Sequence, residues 1–269
     1  MRAFLMVAVL AAPSLLLDSA SGDSRQLVAL FALFAGALVF AEYNSEYPSV
    51  TEFRDAPPFN RIRFGMLVMT VMGLTIIERG QTAPNSLSEF VQVIGVLIGQ
   101  AMDFPYSPVR LVTLTLAGDA TAQQIATVRI AAGIAYFTSL ISLSVFVISI
   151  RMGAWPMKDR PFNVWVNLPT FDPTAGGDVV TRLERDGRIN IALGFLLPFA
   201  LPLVVALGST GLDPDRLTSS QTLIWTMTAW AFLPASLFMR GIALGRIAEL
   251  IRDMRRANDQ TDGRALATA

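Results

Sequence analysis

RMGAWPMKDRPFNVWVNLPTFDPTAGGDVVTRLERDGR, residues Arg151–Arg188, separates the two clearest hydrophobic runs of the chain. It carries the basic residues Arg151, Lys158, Arg160, Arg182, Arg185 and Arg188. Thr127–Ile150 precedes it and Ile189–Gly208 follows it. Each run is close to the roughly 20 apolar residues that cross a bilayer. Basic connectors stay on the cytoplasmic face, so this stretch orients the spans on either side of it.

Composition agrees with a membrane reading. Of the 269 residues, 53% are hydrophobic and 16% charged, and mean hydropathy is +0.51. A soluble domain carries about 25% charged residues and spaces its apolar ones amphipathically rather than in blocks. Net charge is zero, so no basic field argues for nucleic acid. The chain has no Cys and no His. That excludes disulfides, iron–sulfur clusters, Cys-linked haem, His-containing di-iron sites and the usual general base. An all-oxygen site for a hard cation stays open. Among the 21 basic residues only Lys158 is a lysine, which fits the codon bias of a GC-rich bacterial genome.

Taken from its start, the chain opens with Arg2 and the apolar run Ala3–Leu17, then Asp18-Ser-Ala-Ser-Gly. A signal peptide cleaved near Ser19–Ser21 and a short uncleaved first span both fit, and the span that follows at once favours the uncleaved helix. Gln26–Ala41 is that next span, ending at Tyr43 and Tyr47, whose rings suit the headgroup level. The connector 42–63 carries Arg54, Arg61 and Arg63 and is read as cytoplasmic. Its acids Glu42, Glu46, Glu52 and Asp55 read as a solvated face. Phe64–Ile77 is short, and its methionines (Met66, Met69, Met72) read as flexible apolar filler.

The region 90–118 is broken. Phe90–Met102 is apolar apart from Gln92 and Gln100, stops at Asp103-Phe104-Pro105-Tyr106-Ser107-Pro108, and resumes as Val109–Gly118 with Arg110 near its start. Two prolines so close cannot sit inside an unbroken helix. The expectation is a re-entrant hairpin or two short spans, covered by protein or facing a water-filled cavity.

Thr127–Ile150 carries Ser139, Ser142, Ser144 and Ser149, read as back-bonded to their own helix or packed against a neighbour. In the long connector, Trp155 and Trp165 read as interface anchors, and the alternation over Phe162–Leu168 predicts a short extended segment. Asp178–Arg188 reads as an interfacial helix with Val179, Val180 and Leu183 inward. Gly176-Gly177 lacks the Lys-Ser/Thr ending of a phosphate loop. Pro198 and Pro202 predict a kink in Ile189–Gly208, and Pro234 a second one in the last span, Thr222–Met239. Ile247, Leu250, Ile251 and Met254 then form a helical stripe in an amphipathic tail over 240–269 that turns small and polar, and mobile, from Ala257.

The arginines sort by connector. With Met1 inside, the cytoplasmic segments hold Arg2, then Arg54, Arg61 and Arg63, the six of the long connector, and Arg240, Arg246, Arg252, Arg255, Arg256 and Arg264. Outside fall Arg25, Arg79, Arg129 at a span edge, and Arg216, with Arg110 ambiguous. The expected fold is therefore an all-α polytopic helical bundle, a single membrane domain over 1–269, of about six full spans plus the 90–118 region, with both termini inside. That bias holds only if 90–118 crosses an even number of times. An echo between Arg54–Asn60 and Lys158–Asn163 hints at two related halves.

Little of this sequence points to chemistry. The candidate intramembrane polar site is Asp103 with Arg110 across the proline break, together with Gln92 and Gln100. No catalytic carboxylate pair, metal-spaced cluster or Gly-x-Ser-x-Gly elbow occurs, and no histidine is present to activate a serine. The expectation is a non-enzymatic, multi-pass protein of the bacterial cell inner membrane, without cofactor, that acts as an accessory, scaffold or assembly subunit. Its partners would be the lipid bilayer and a membrane protein or a second copy of itself, with no nucleic acid. The alternative is a small transporter or channel with its site in the 90–118 region.

Overall fold

Three apolar runs long enough to cross a bilayer end in arginine-bearing connectors, and in the computed structural model each run is a continuous helix that extends beyond its apolar part. The structure describes residues 1–269 except 18–21, 55, 117, 154, 156–163, 173, 175, 209–212 and 268–269. Among the described residues the helices are α1 (Arg2–Leu16), α2 (Gly22–Asn44), α3 (Pro57–Thr82), α4 (Ser86–Met102), α5 (Pro108–Thr113), α6 (Ala122–Arg151), α7 (Val164–Asn167), α8 (Val179–Gly208), α9 (Pro214–Leu217) and α10 (Ser220–Ala267). Five of them, α2, α3, α6, α8 and α10, contain segments long and apolar enough to cross a membrane, while α1 and α4 are shorter apolar helices.

Local chemistry sets the boundaries. Pro57 and Pro58 open α3, where a missing N–H costs nothing. Asn85 and Ser88 form a capping box at α4, and Thr121 and Gln124 form another at α6. Between α4 and α5, Tyr106 adopts a left-handed backbone with φ of 65°, and Ser107 caps the next helix by accepting from the Arg110 N–H.

Two ends of the bundle are defined by side-chain contacts. At one end the Arg2 guanidinium lies 4.1 Å over the Tyr43 ring, so the start of α1 meets the close of α2. Arg240 of α10 reaches Glu52, in the α2–α3 connector, at the same end. At the opposite end Gln221 Nε2 donates to Ser14 Oγ at 3.0 Å and Gln124 Nε2 donates to Asp215 Oδ1 at 2.7 Å. There the last turns of α3 also touch the first turn of α4, since a Cβ added to Gly80 would lie 2.7 Å from Ser88 Cβ. The 83–121 segment thus starts and finishes at one end of the bundle. Its crossing with α6 is close: a Cβ on Gly133 would come within 2.6 Å of Gly99 Cα.

The described residues form two apolar cores. The first joins Val71 and Leu74 of α3, Val128 and Ala132 of α6, and Ile224 and Met227 of α10, with Val109 and Val112 of α5. The second lies at the end that carries Glu52 and joins connector residues to helices. In it the Phe53 ring lies 4.5 Å from Phe59, tilted, and 5.6 Å from Trp155, edge-on, and Phe59 lies 5.7 Å from Phe146. Leu168, Leu183, Met239, Leu244 and Ile247 close it. Such ring pairs contribute about 0.5–1.5 kcal/mol each beyond the area they bury.

Several expectations change. Asp178–Arg188 is not a separate interfacial helix but the first turns of α8, although Val180 and Leu183 do point inward as expected. The extended segment expected over Phe162–Leu168 is a helical turn over Val164–Asn167, with 162–163 outside the described residues. Burial of Val166, Asn167 and Leu168 in succession explains it, because an alternating strand would present only every second residue to the core. Beyond Ala257 the backbone is helical, as part of α10, to Ala267. Pro198 and Pro202 lie inside α8 and Pro234 inside α10, each within a continuous helix as in a proline-kinked one. The 158–163 half of the sequence echo lies outside the described residues.

Candidate functional site

The proline break ends α4 at Met102, and the capping residue Asp103 must turn. It turns onto α6. Arg110 Nε stands 2.7 Å from Asp103 Oδ1, and Arg129 Nε stands 2.7 Å from Oδ2. The Arg110 Nη2 group also donates to the Asp103 carbonyl at 3.1 Å. The Asp103 side chain is only 6% exposed, while the arginines keep 42% and 32%. Neither Nε–H is aligned for a hydrogen bond with the carboxylate, so these are close charge contacts. One carboxylate between two guanidiniums leaves a net positive cluster, which clamps the turn to α6.

The four residues expected to form one site are therefore divided. Asp103 and Arg110 meet. Gln100 is exposed on α4, and Gln92 lies elsewhere. Gln92 lines a small cavity of about 30 Å³ with Glu78, Gln81, Gln123 and Thr127. Glu78 is 8% exposed and lies beside the Ser220 hydroxyl, and the Gln92 Oε1 atom is buried without a protein donor. Arg129 and Glu78 are the residues that sequence reasoning missed. Arg129 carried a signal, since it is the one basic residue within the apolar part of α6.

Two acids read as a solvated face are ties instead. The Glu42 carboxylate accepts from the Ser49 hydroxyl at 2.6 Å and from the backbone N–H groups of Ser49, Val50 and Thr51. It fixes the chain as it leaves α2. Arg240 donates through Nε and Nη2 to the two oxygens of Glu52, at 2.5 and 2.8 Å, and the Thr170 hydroxyl donates to the same carboxylate. This forked contact joins α10, the 45–56 connector and the long connector. The Asn60 amide donates to the carbonyls of Glu52 and Phe53.

No family model, curated protein or solved structure matches this chain. Function therefore rests on the residues themselves. Among the described residues no group of three or more His, Cys, Asp or Glu side chains gathers. What the described residues offer chemically is charge pairing at both ends of the bundle and a small cavity between α3, α4, α6 and α10, lined by Glu78, glutamines and Thr127 on one side and by apolar side chains on the other.

Proposed function

We propose that this chain is a non-enzymatic polytopic protein of the bacterial inner membrane, serving as an accessory, scaffold or assembly subunit that packs against a larger membrane complex. In this reading both termini face the cytoplasm, α1 joins the five long helices as a sixth crossing, and α4–α5 is a re-entrant hairpin entering from the outer face. The arginine bias of the connectors supports that orientation. So does the meeting of Gln81, near the end of α3, with Gln123, at the start of α6, around one cavity.

The observation that carries the scaffold reading is the second core. Connectors that merely linked spans would have no need of buried Phe53, Trp155, Leu168 and Phe171, yet these pack with α10 into a platform beyond the first core. The α10 helix continues through it, tied by Arg252–Glu184 and Arg255–Asp178. Around the platform Arg61, Arg151, Arg188 and Arg256 are exposed. A rigid basic platform fits an acidic protein surface next to the membrane.

The test is purification from native membranes under mild detergent. One partner should co-purify at fixed stoichiometry and be lost when Arg151, Arg188 and Arg256 are all changed to Glu, with the chain still folded. A chain that purifies alone and carries an ion flux in proteoliposomes would contradict this reading. The transporter alternative draws its support from one observation, the buried Glu78 carboxyl at the cavity shared with Gln92.

A further inference from the structure

We propose that the cavity between α3, α4, α6 and α10 is a binding site for a single sodium ion, held by the Glu78 carboxylate and the Gln92 side-chain carbonyl. Four observations lead there. Glu78 is buried, with the Ser220 hydroxyl as its polar neighbour. Among the described residues no arginine pairs with it: the nearest in sequence, Arg79, is exposed, and Arg110 and Arg129 are engaged by Asp103. Gln92 Oε1 is buried with no donor. Both side chains line the same cavity of about 30 Å³.

A buried carboxylate without a cation is costly, and an orphaned amide oxygen adds to that cost. One water could donate to both oxygens but would leave the carboxylate charge unbalanced, whereas a hard cation satisfies the oxygens and the charge together. One carboxylate balances one charge, and a divalent ion would leave excess charge in a poorly solvated site. The volume is that of about one water molecule, which suits sodium and excludes organic cations. Gln81 and Gln123, both exposed, stand at the rim and give a path of entry, and the Thr127 hydroxyl adds a further oxygen.

The inference goes beyond the scaffold reading, since the ion is a resident tie between four helices rather than a cargo. It is tested on the full-length protein in detergent at constant ionic strength, with NaCl exchanged for choline chloride. Sodium should raise the thermal midpoint saturably, and Glu78→Gln should abolish the rise. Gln92→Leu should shift the sodium concentration needed by about tenfold or more. Because Glu78→Gln can fail to fold, the wild-type chain supplies a second reading: carbodiimide modification of Glu78, followed by mass spectrometry, should be suppressed by sodium and not by choline. Equal midpoints in the two salts, or modification of Glu78 indifferent to sodium, would overturn the assignment.

Discussion

The indole Nε1–H of Trp230 donates to the carbonyl oxygen of Pro198 at 3.2 Å. In an unbroken helix that carbonyl would accept from the residue four positions on, which here is Pro202 and has no N–H. The spacing of the two prolines therefore creates an orphan acceptor in α8, and α10 supplies its donor. Trp230→Phe keeps the ring and removes the donor, and it should destabilise the protein by about 1–2 kcal/mol. Trp225→Phe, at a partly buried site, should cost less than about half of that. Thermal or detergent-induced unfolding of the two variants side by side checks it.

Asp103→Asn should leave Arg110 and Arg129 facing one another without a counter-charge. A fully buried pair would lose about 3–5 kcal/mol, but the exposure of both arginines lowers the expected loss to about 1–3 kcal/mol. The double variant Asp103→Asn/Arg129→Gln should recover part of it. A double-mutant cycle by thermal unfolding measures the coupling, which should exceed the scatter of independent sites, about 0.5 kcal/mol.

Arg240→Lys should loosen the platform without disturbing the spans. The forked contact with Glu52 needs two parallel N–H groups, and an ammonium offers one point charge, so a loss of about 1–2 kcal/mol is expected. Limited proteolysis in detergent should then cut the 151–178 connector faster than in the wild type, while the helices remain protected. Equal cleavage rates would remove Glu52–Arg240 from its role as a tie.

Acidification should release the far end of α10 only below the ordinary carboxylate range. Hydrogen bonds from Arg255 and from the Thr181 N–H hold the Asp178 carboxyl below its usual value. A depressed carboxylate contributes above its unfolded pKa, and the contribution is lost as pH falls through the folded one. A spin-label distance between Thr174→Cys and Arg256→Cys should therefore stay constant from about pH 8 to about pH 5 and lengthen only under stronger acid.

Much of the fold was legible because hydrocarbon thickness and proline chemistry act locally. The runs ending at Ala41, Ile150 and Gly208, the break at Asp103–Pro108 and the continuation of the last helix past Met239 all follow from residues read in a single window. The partners of charged groups were not legible, because they depend on how helices cross. Arg129 meets Asp103 only because Gly99 and Gly133 let α4 lie against α6 at backbone contact. Glu78 looks like a solvated helix end beside Arg79, and the first turn of α10, far along the chain, brings Ser220 to it. Glu42 and Glu52 misled for the opposite reason. Acids in a connector usually face water, and here the connector folds back over them.

Everything proposed about orientation and docking meets in the path of residues 83–121, and the absence of cysteine makes that path directly measurable. Single cysteines at Ser86, Asp119, Asn44 and Thr174, all exposed positions, are treated with a membrane-impermeant maleimide on intact spheroplasts. The predicted result is labelling of Ser86→Cys and Asp119→Cys from outside, with Asn44→Cys and Thr174→Cys reacting only after the membrane is opened. Labelling of Ser86→Cys and Asp119→Cys from opposite faces would contradict the account.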